Sequence, residues 1–335
     1  MMNVVRVGVL GLGRIGRMHA DLLAHDVPGA TVTAVADTDP VTLAAVTERL
    51  HVPGSVDPLD VINDQNVDAV AICTPTPTHV DLVLAAATAG KPIMCEKPIS
   101  LDLESTDRAL TAVERAGVLL QIGFNRRFDP GHAAVATAVA SGEIGVPEIV
   151  RISSRDPAPP PIDYLMVSGG IFVDQTIHDF DMARYVTRSE VVAITAVGTV
   201  RVDPKIGEIE DLDTVAITLR HADGCLTQID NSRRAVYGFD QRVEVFGSDG
   251  VATSENQPAH GAVIRSATGG RTAPLPRFFL ERYLPSYLNQ WASFTASVRD
   301  GSPPLVTGGD ARAALILART AAESARTGRT IEIEE

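Results

Sequence analysis

The chain has little of what marks several common protein classes. Its three cysteines, Cys73, Cys95 and Cys225, are odd in number and far apart. None has CxxC or zinc-site spacing, so no disulfide framework and no metal site are expected, and the thiols read as reduced ones of a cytoplasmic protein. Aromatic residues make up only 4% of the chain, so any core must be aliphatic. No apolar run reaches the ~18 residues of a membrane-spanning helix. The opening MMNVVRVGVLGLG lacks a charged leader and a small-residue cleavage site, and it reads as a first strand. Basic residues are also scarce: 29 Lys and Arg against 42 Asp and Glu give a formal charge of −13. Such a surface repels nucleic acid and anionic membrane, and neither is an expected partner.

What is present is length and apolar content. With 335 residues and 45% hydrophobic ones, the chain exceeds one ordinary core, and two domains are expected. Up to about residue 124, short apolar runs alternate with helical patterns. The strands are expected at 4–10, 31–36, 67–73, 93–95 and 118–123, with helices at 14–23, 41–50, 78–89 and 102–116. Strict alternation predicts a doubly wound parallel sheet with helices on both faces. From residue 125 onward strands follow one another, at 148–153, 191–202, 214–221, 225–231 and 241–246. Asp223-Gly224 and Asp249-Gly250 signal hairpins. Helices are expected at 131–140, 169–185, 285–298 and 310–326. Residues 125–335 therefore read as an α+β domain with a large, mainly antiparallel open sheet. Strands such as Val215-Ala-Ile-Thr-Leu219 suggest apolar residues on both of its faces, one against helices and one against a partner copy.

Gly11-Leu12-Gly13-Arg14-Ile15-Gly16 joins the first strand to the first helix. Gly11 permits a tight turn, Gly13 lets a pyrophosphate approach the backbone, and Gly16 lets the helix pack on the sheet. Asp37 ends the second strand, about twenty residues on, where a carboxylate accepts from ribose hydroxyls and repels a 2′-phosphate. Thr38 follows it, and no Arg is at hand for such a phosphate. The pattern predicts NAD rather than NADP. Glu96-Lys97-Pro98 follows the strand ending at Cys95, so Lys97 sits where sheets of this kind hold ligands. Farther on, Asp174 and His178 are four residues apart on an expected helix and share a face. A carboxylate beside an imidazole fixes its tautomer and favours its protonated form. Asp179 and Asp181 should then point elsewhere, as capping or solvated residues. Arg233 and Arg234 alternate on an expected strand and read as a solvated or interface pair.

These three motifs resemble the Gfo/Idh/MocA oxidoreductases, in which a GxGxxG, an E-K-P and a D-x-x-x-H recur in this order. Two longer stretches, Gly123-Phe-Asn-Arg-Arg-Phe-Asp129 and Ser168 through Arg184, are similar to those of bacterial inositol 2-dehydrogenases. The resemblance implies NAD-dependent oxidation of a cyclic polyol hydroxyl, myo-inositol to 2-keto-myo-inositol, with Lys97, Asp174 and His178 catalytic. It implies cofactor contacts at Thr74, Pro75, His79, Glu96 and Lys97, with Glu96 on the nicotinamide ribose, and a Lys97–Pro98 peptide that is often cis. It implies substrate contacts at Arg127, Asp156 and Tyr237 as well as at the catalytic groups. Relatives often carry Asn where Asp156 stands, and a second tyrosine where Phe239 stands; Phe239 reads as sheet packing. Relatives are often dimers or tetramers, so a homo-oligomer is expected. The same resemblance admits an aldose or pyranose dehydrogenase, or an NAD-dependent glycosidase.

Overall fold

The computed structural model describes residues 4–333. Internal packing divides them into two compact units. The first takes the described residues up to Asn125 together with Tyr287–Ala313; the second takes Arg126–Ser286 and the described residues from Ala314 onward.

The first unit is built on six parallel strands: β1 (Val5–Leu10), β2 (Ala30–Ala36), β3 (Gly54–Ser55), β4 (Ala69–Ile72), β5 (Ile93–Cys95) and β6 (Leu120–Ile122). Their order is β3-β2-β1-β4-β5-β6, the doubly wound order with its reversal between β1 and β4. Helices α1 (Arg14–His25), α2 (Pro40–Leu50), α3 (Pro58–Asn63), α4 (His79–Thr88) and α5 (Leu103–Ala116) alternate with the strands. Strands β1, β4, β5 and β6 are almost wholly buried, as continuous apolar runs in a doubly covered sheet must be. The segment β3–α3 escaped the sequence reading, although Asp57 before Pro58 is a helix start, with the Asp57 carboxylate capping Leu59 N–H. The exposed edge at β6 is covered within this unit, where Ile122 N–H bonds the Val306 carbonyl.

The second unit holds α6 (Pro130–Ala140), β7 (Pro147–Arg155), α7 (Ile162–Leu165), α8 (Ile177–Thr187), β8 (Val191–Thr199) and α9 (Pro204–Glu208). Then come β9 (Thr214–His221), β10 (Leu226–Ser232), β11 (Asp240–Gly247), β12 (Gly250–Ser254) and the small ribbon β13 (Val263–Ser266) and β14 (Gly269–Thr272). Two long helices, α10 (Phe279–Asp300) and α11 (Gly308–Thr327), contribute to both units, and β15 (Ile331–Glu332) closes the second. The large sheet runs β12-β11-β7-β10-β9-β8-β15, antiparallel except for the β7–β10 pair. Both expected hairpins form, at β9–β10 and β11–β12. Helix α10 begins six residues before the expected start, with Pro285 inside it.

Apolar residues do occur on both sheet faces, but β9, the strand that suggested it, alternates. Val215, Ile217 and Leu219 share the buried face, while Ala216, Thr218 and Arg220 alternate onto the other. Across that outer face, register aligns Thr195, Thr218, Gln228, Arg151 and Glu244 in one row, and Arg220, Leu226, Ile149, Phe246 and Val251 in another. The outer face is thus mixed, with apolar residues in patches.

Candidate functional site

In the first unit the glycine turn is shaped by steric exclusion. Gly11 has φ +86°, and a Cβ there would stand 2.7 Å from the Thr74 nitrogen. A Cβ on Gly16 would come within 1.8 Å of the Gly11 oxygen, so neither position admits a side chain. Gly13 is different: a Cβ would meet nothing within 4 Å. Space therefore remains open in front of α1. Five other helices, α2, α3, α5, α6 and α9, start on an Asp whose carboxylate takes their first amides. Helix α1 starts on Gly13, with no side-chain cap and no acidic residue in its first turn. The positive dipole end of α1 thus meets no capping side chain and no carboxylate of its own first turn, an arrangement that suits an anion. Leu12, Arg14 and Ile15 complete the turn. Leu12 is buried, and its N–H donates to Asp37 Oδ2 at 2.6 Å, while Asp37 Oδ1 accepts from Asp39 N–H at 2.8 Å. The Asp37 carboxylate is fixed at the strand end, and each oxygen keeps a further lone pair for a ribose hydroxyl. This turn fits a dinucleotide.

Two loops flank that turn. After β4, the Thr78 hydroxyl lies 2.9 Å from the Pro75 carbonyl, which can only accept its proton, and 2.7 Å from Thr74 Oγ1. His79 is buried, with Nε2 at 2.7 Å from the Thr74 carbonyl and Nδ1 at 2.8 Å from the Pro98 carbonyl. Burial pulls its pKa down, against the two carbonyls that favour the protonated ring. His79 thus ties the Thr74-Pro75 loop to the Glu96-Lys97-Pro98 loop. The Lys97–Pro98 peptide is cis. Lys97 is half-buried beside Glu96.

The second unit carries Asp174 and His178. They lie on a continuous helical stretch in which Phe172–Thr176 form a π-turn leading into α8, a five-residue closure in place of the expected regular α-turn. From Ile171 through Ala183 every residue is buried except these two. The Tyr164 hydroxyl donates to Asp174 Oδ1 at 2.8 Å, and Arg233 Nη1 donates to Oδ2 at 2.9 Å. Arg233 is fully buried and also faces Asp211 at 3.5 Å. The reading of Arg233 as solvated is therefore corrected, and only Arg234 is exposed. Alternation on the strand was the available signal for Arg233. Nothing local pointed to Tyr164, whose hydroxyl pKa burial and Asp174 push up.

Asp179 and Asp181 are likewise neither caps nor solvated. Both are buried. Asp179 accepts from Arg126 and Ser154 at 2.5 Å each and from Asn231 at 2.8 Å; burial still raises its pKa. Arg127 grips Asp181 with two bonds of 2.9 and 2.6 Å and lies over the Tyr185 ring. The Arg127 guanidinium expected against substrate is thus held in a buried bidentate pair, where it anchors α8. Asp156 is half-buried, and its pKa is pushed up to about 6 by burial and then by Asp174, against Arg126 and Arg233. Tyr237 is 49% exposed; its hydroxyl donates to Asp240 at 2.5 Å and accepts from Arg155 at 3.1 Å. Phe239 is buried, edge-on to Tyr283, as sheet packing requires. Of the predicted catalytic groups, Lys97 belongs to the first unit and Asp174 and His178 to the second.

Residues 5–124 match the Gfo/Idh/MocA oxidoreductase family with its NAD-binding Rossmann fold, and residues 132–253 match the Gfo/Idh/MocA C-terminal domain. The chain belongs to this family. It is an NAD-dependent oxidoreductase, with NAD as its cofactor. It is 47% identical over 332 residues to the myo-inositol 2-dehydrogenase of Thermotoga maritima, covering 99% of each chain. It is 44% identical over 330 residues to an inositol 2-dehydrogenase of Rhizobium meliloti, covering 98% of this chain and 99% of that one. Among solved structures, myo-inositol dehydrogenase from Lactobacillus casei, in complex with NAD(H) and myo-inositol, superposes with a TM-score of 0.88. It is 28% identical, with 99% of this chain and 97% of that one covered. Among the described residues no helix is long and apolar enough to cross a membrane.

Proposed function

We propose that this chain oxidises a ring hydroxyl of a cyclic polyol, myo-inositol first among them, to the ketone. The observation that carries this reading is the 47% identity, over nearly the full length, to a myo-inositol 2-dehydrogenase, with E-K-P and D-x-x-x-H both in place. NAD, when bound, supplies the hydride acceptor at nicotinamide C4. Its pyrophosphate belongs at the uncapped amides of α1, its adenosine ribose at Asp37, and its nicotinamide-side ribose at Glu96.

His178 removes the hydroxyl proton, a task suited to imidazole because its ordinary pKa lies near neutrality. Lys97 donates to the oxygen on which negative charge develops. Asp174 is oriented by Tyr164 and Arg233 and holds either His178 or a neighbouring substrate hydroxyl. Asp156 accepts from another hydroxyl. A neutral polyol with many hydroxyls is recognised by such acceptors and donors, with no need for a dedicated ion pair.

The test is NADH formation with a panel of inositols and aldoses, using parent and Lys97→Ala proteins. The parent should turn over myo-inositol stoichiometrically with NAD. The variant should lose at least about a hundredfold in kcat, the scale of one lost oxyanion donor, while calorimetry still shows NAD bound. Strong activity on an aldose with none on inositols would replace the substrate. Near-parental turnover by the variant would remove Lys97 from the chemistry.

A further inference from the structure

Helix α1 carries one polar side chain that the nucleotide turn does not explain. His19 lies one turn beyond Gly16 and is fully buried. Its Nδ1 receives the indole N–H of Trp291 at 2.9 Å, and its Nε2 lies 3.0 Å from Glu96 Oε1. Trp291 is the only tryptophan in the chain and is itself fully buried. Tyr287 closes the edge of the imidazole, with ring centroids 5.6 Å apart and planes at 84°. All four residues belong to the first unit.

The direction of each bond follows from the chemistry of the groups. An indole nitrogen only donates, so Nδ1 must accept and carries no proton. The ring proton then sits on Nε2 and points at the Glu96 carboxylate. Trp291 thus selects the tautomer that lets His19 donate to Glu96. The carboxyl group is confined from another side as well: a Cβ on Gly123 would stand 2.8–2.9 Å from its carbon and both oxygens. Glu96 itself is anchored by its N–H on the Ile72 carbonyl. A buried imidazole costs desolvation that an aliphatic side chain would avoid. Here that cost yields an aimed donor beside the loop that carries Lys97.

We infer that His19 is a positioning residue for the cofactor: held in one tautomer by Trp291, it aims the Glu96 carboxylate at the nicotinamide-side ribose. The inference rests on the proposed role of Glu96 at that ribose. His19→Leu should weaken NAD binding about tenfold, the worth of one hydrogen bond to a charged group, with a smaller change in the KM for polyol. His19→Gln keeps an acceptor for Trp291 and a donor for Glu96, and should recover most of that loss. Trp291→Phe removes the donor that fixes the tautomer, so NAD affinity should fall, by less than in His19→Leu.

A second readout needs no turnover. The apo protein should show one indole N–H cross-peak in NMR, far downfield and slow to exchange. It should move in Glu96→Gln and return toward the free indole position in His19→Leu. If His19→Leu does not fold, Trp291→Phe and the cross-peak carry the test. A folded His19→Leu with parental NAD affinity, beside a Glu96→Ala that binds NAD weakly, would overturn the positioning role alone. A Glu96→Ala that binds NAD as tightly as the parent would instead show that the ribose reading has failed, and the inference with it.

Discussion

The two units build their sites from opposite materials. In the first, the nucleotide turn is mostly backbone: glycines that exclude side chains, an uncapped helix start, and one fixed carboxylate. In the second, the surroundings of Asp174 and His178 are mostly buried charge. Arg126 meets Asp179, Arg127 meets Asp181, and Arg233 meets Asp174. A backbone site fails by collision, which is nearly all or none. A charge-built site fails by leaving a partner uncompensated, and its losses are graded.

The sharpest way to break that comparison lies within the glycine turn. Gly16→Ala puts a methyl group into the Gly11 carbonyl, and no flexible side chain is there to give way. It should cost more than about 4 kcal/mol of stability and abolish NAD binding. Gly13→Ala meets no neighbour, so it should cost about 1 kcal/mol or less. It should nevertheless weaken NAD binding, because the methyl group enters the space before α1. Thermal unfolding and NAD calorimetry on both variants check the pair. Equal stability losses would show that the turn can relax, and that its glycines are not held by sterics.

The charge-built site has its own test in Arg233. Arg233→Leu leaves Asp174 and Asp211 without their buried counter-ion. Removing one partner of a buried pair typically costs about 3–5 kcal/mol. Activity should fall with stability, since Asp174 loses a group that orients it. Urea unfolding measures the first effect and kcat the second. A loss below about 1 kcal/mol would mean that Asp174 is solvated in solution, and that the pair acts like a surface one.

The same contrast explains what could be read before the fold was known. Gly11, Gly13, Gly16 and Asp37 are legible because a strand, a turn and a helix must share one short stretch of chain. Glu96-Lys97 is legible because it follows a strand end, and Asp174 with His178 because helical spacing is local. Arg233 and Tyr164 were not legible as partners of Asp174. Arg233 stands 59 positions away in sequence, and only the register of β10 and the helix above it brings them together. Asp179 and Asp181 misled for the same reason: a carboxylate on a helix looks solvated until the arginine that buries it is placed. The start of α10 was misread because proline usually marks a helix boundary, whereas Pro285 lies within one.

A smaller effect than that of Arg233 is expected at Asp156, and its sign is the instructive part. Burial and the nearby Asp174 push its pKa up to about 6, against about 3.9 for an unfolded aspartate. The folded chain therefore holds this proton more tightly than the unfolded one. Stability from this group is fully present below about pH 4 and is lost as pH rises toward 6, after which it stays level. At neutral pH the ionised Asp156 thus lowers stability, by up to about 2–3 kcal/mol. Its own N–H and carbonyl are engaged with Ser232 and Ala235, so Asp156→Asn should keep the backbone in place. The variant should match the parent near pH 4 and melt higher at pH 7. Arg126 and Arg233 oppose the burial and Asp174, so the gain measures how far those two guanidiniums fall short of neutralising the cluster. Coincident melting curves at every pH would show that they neutralise it fully. The charge-built site would then carry no more strain than the backbone-built one.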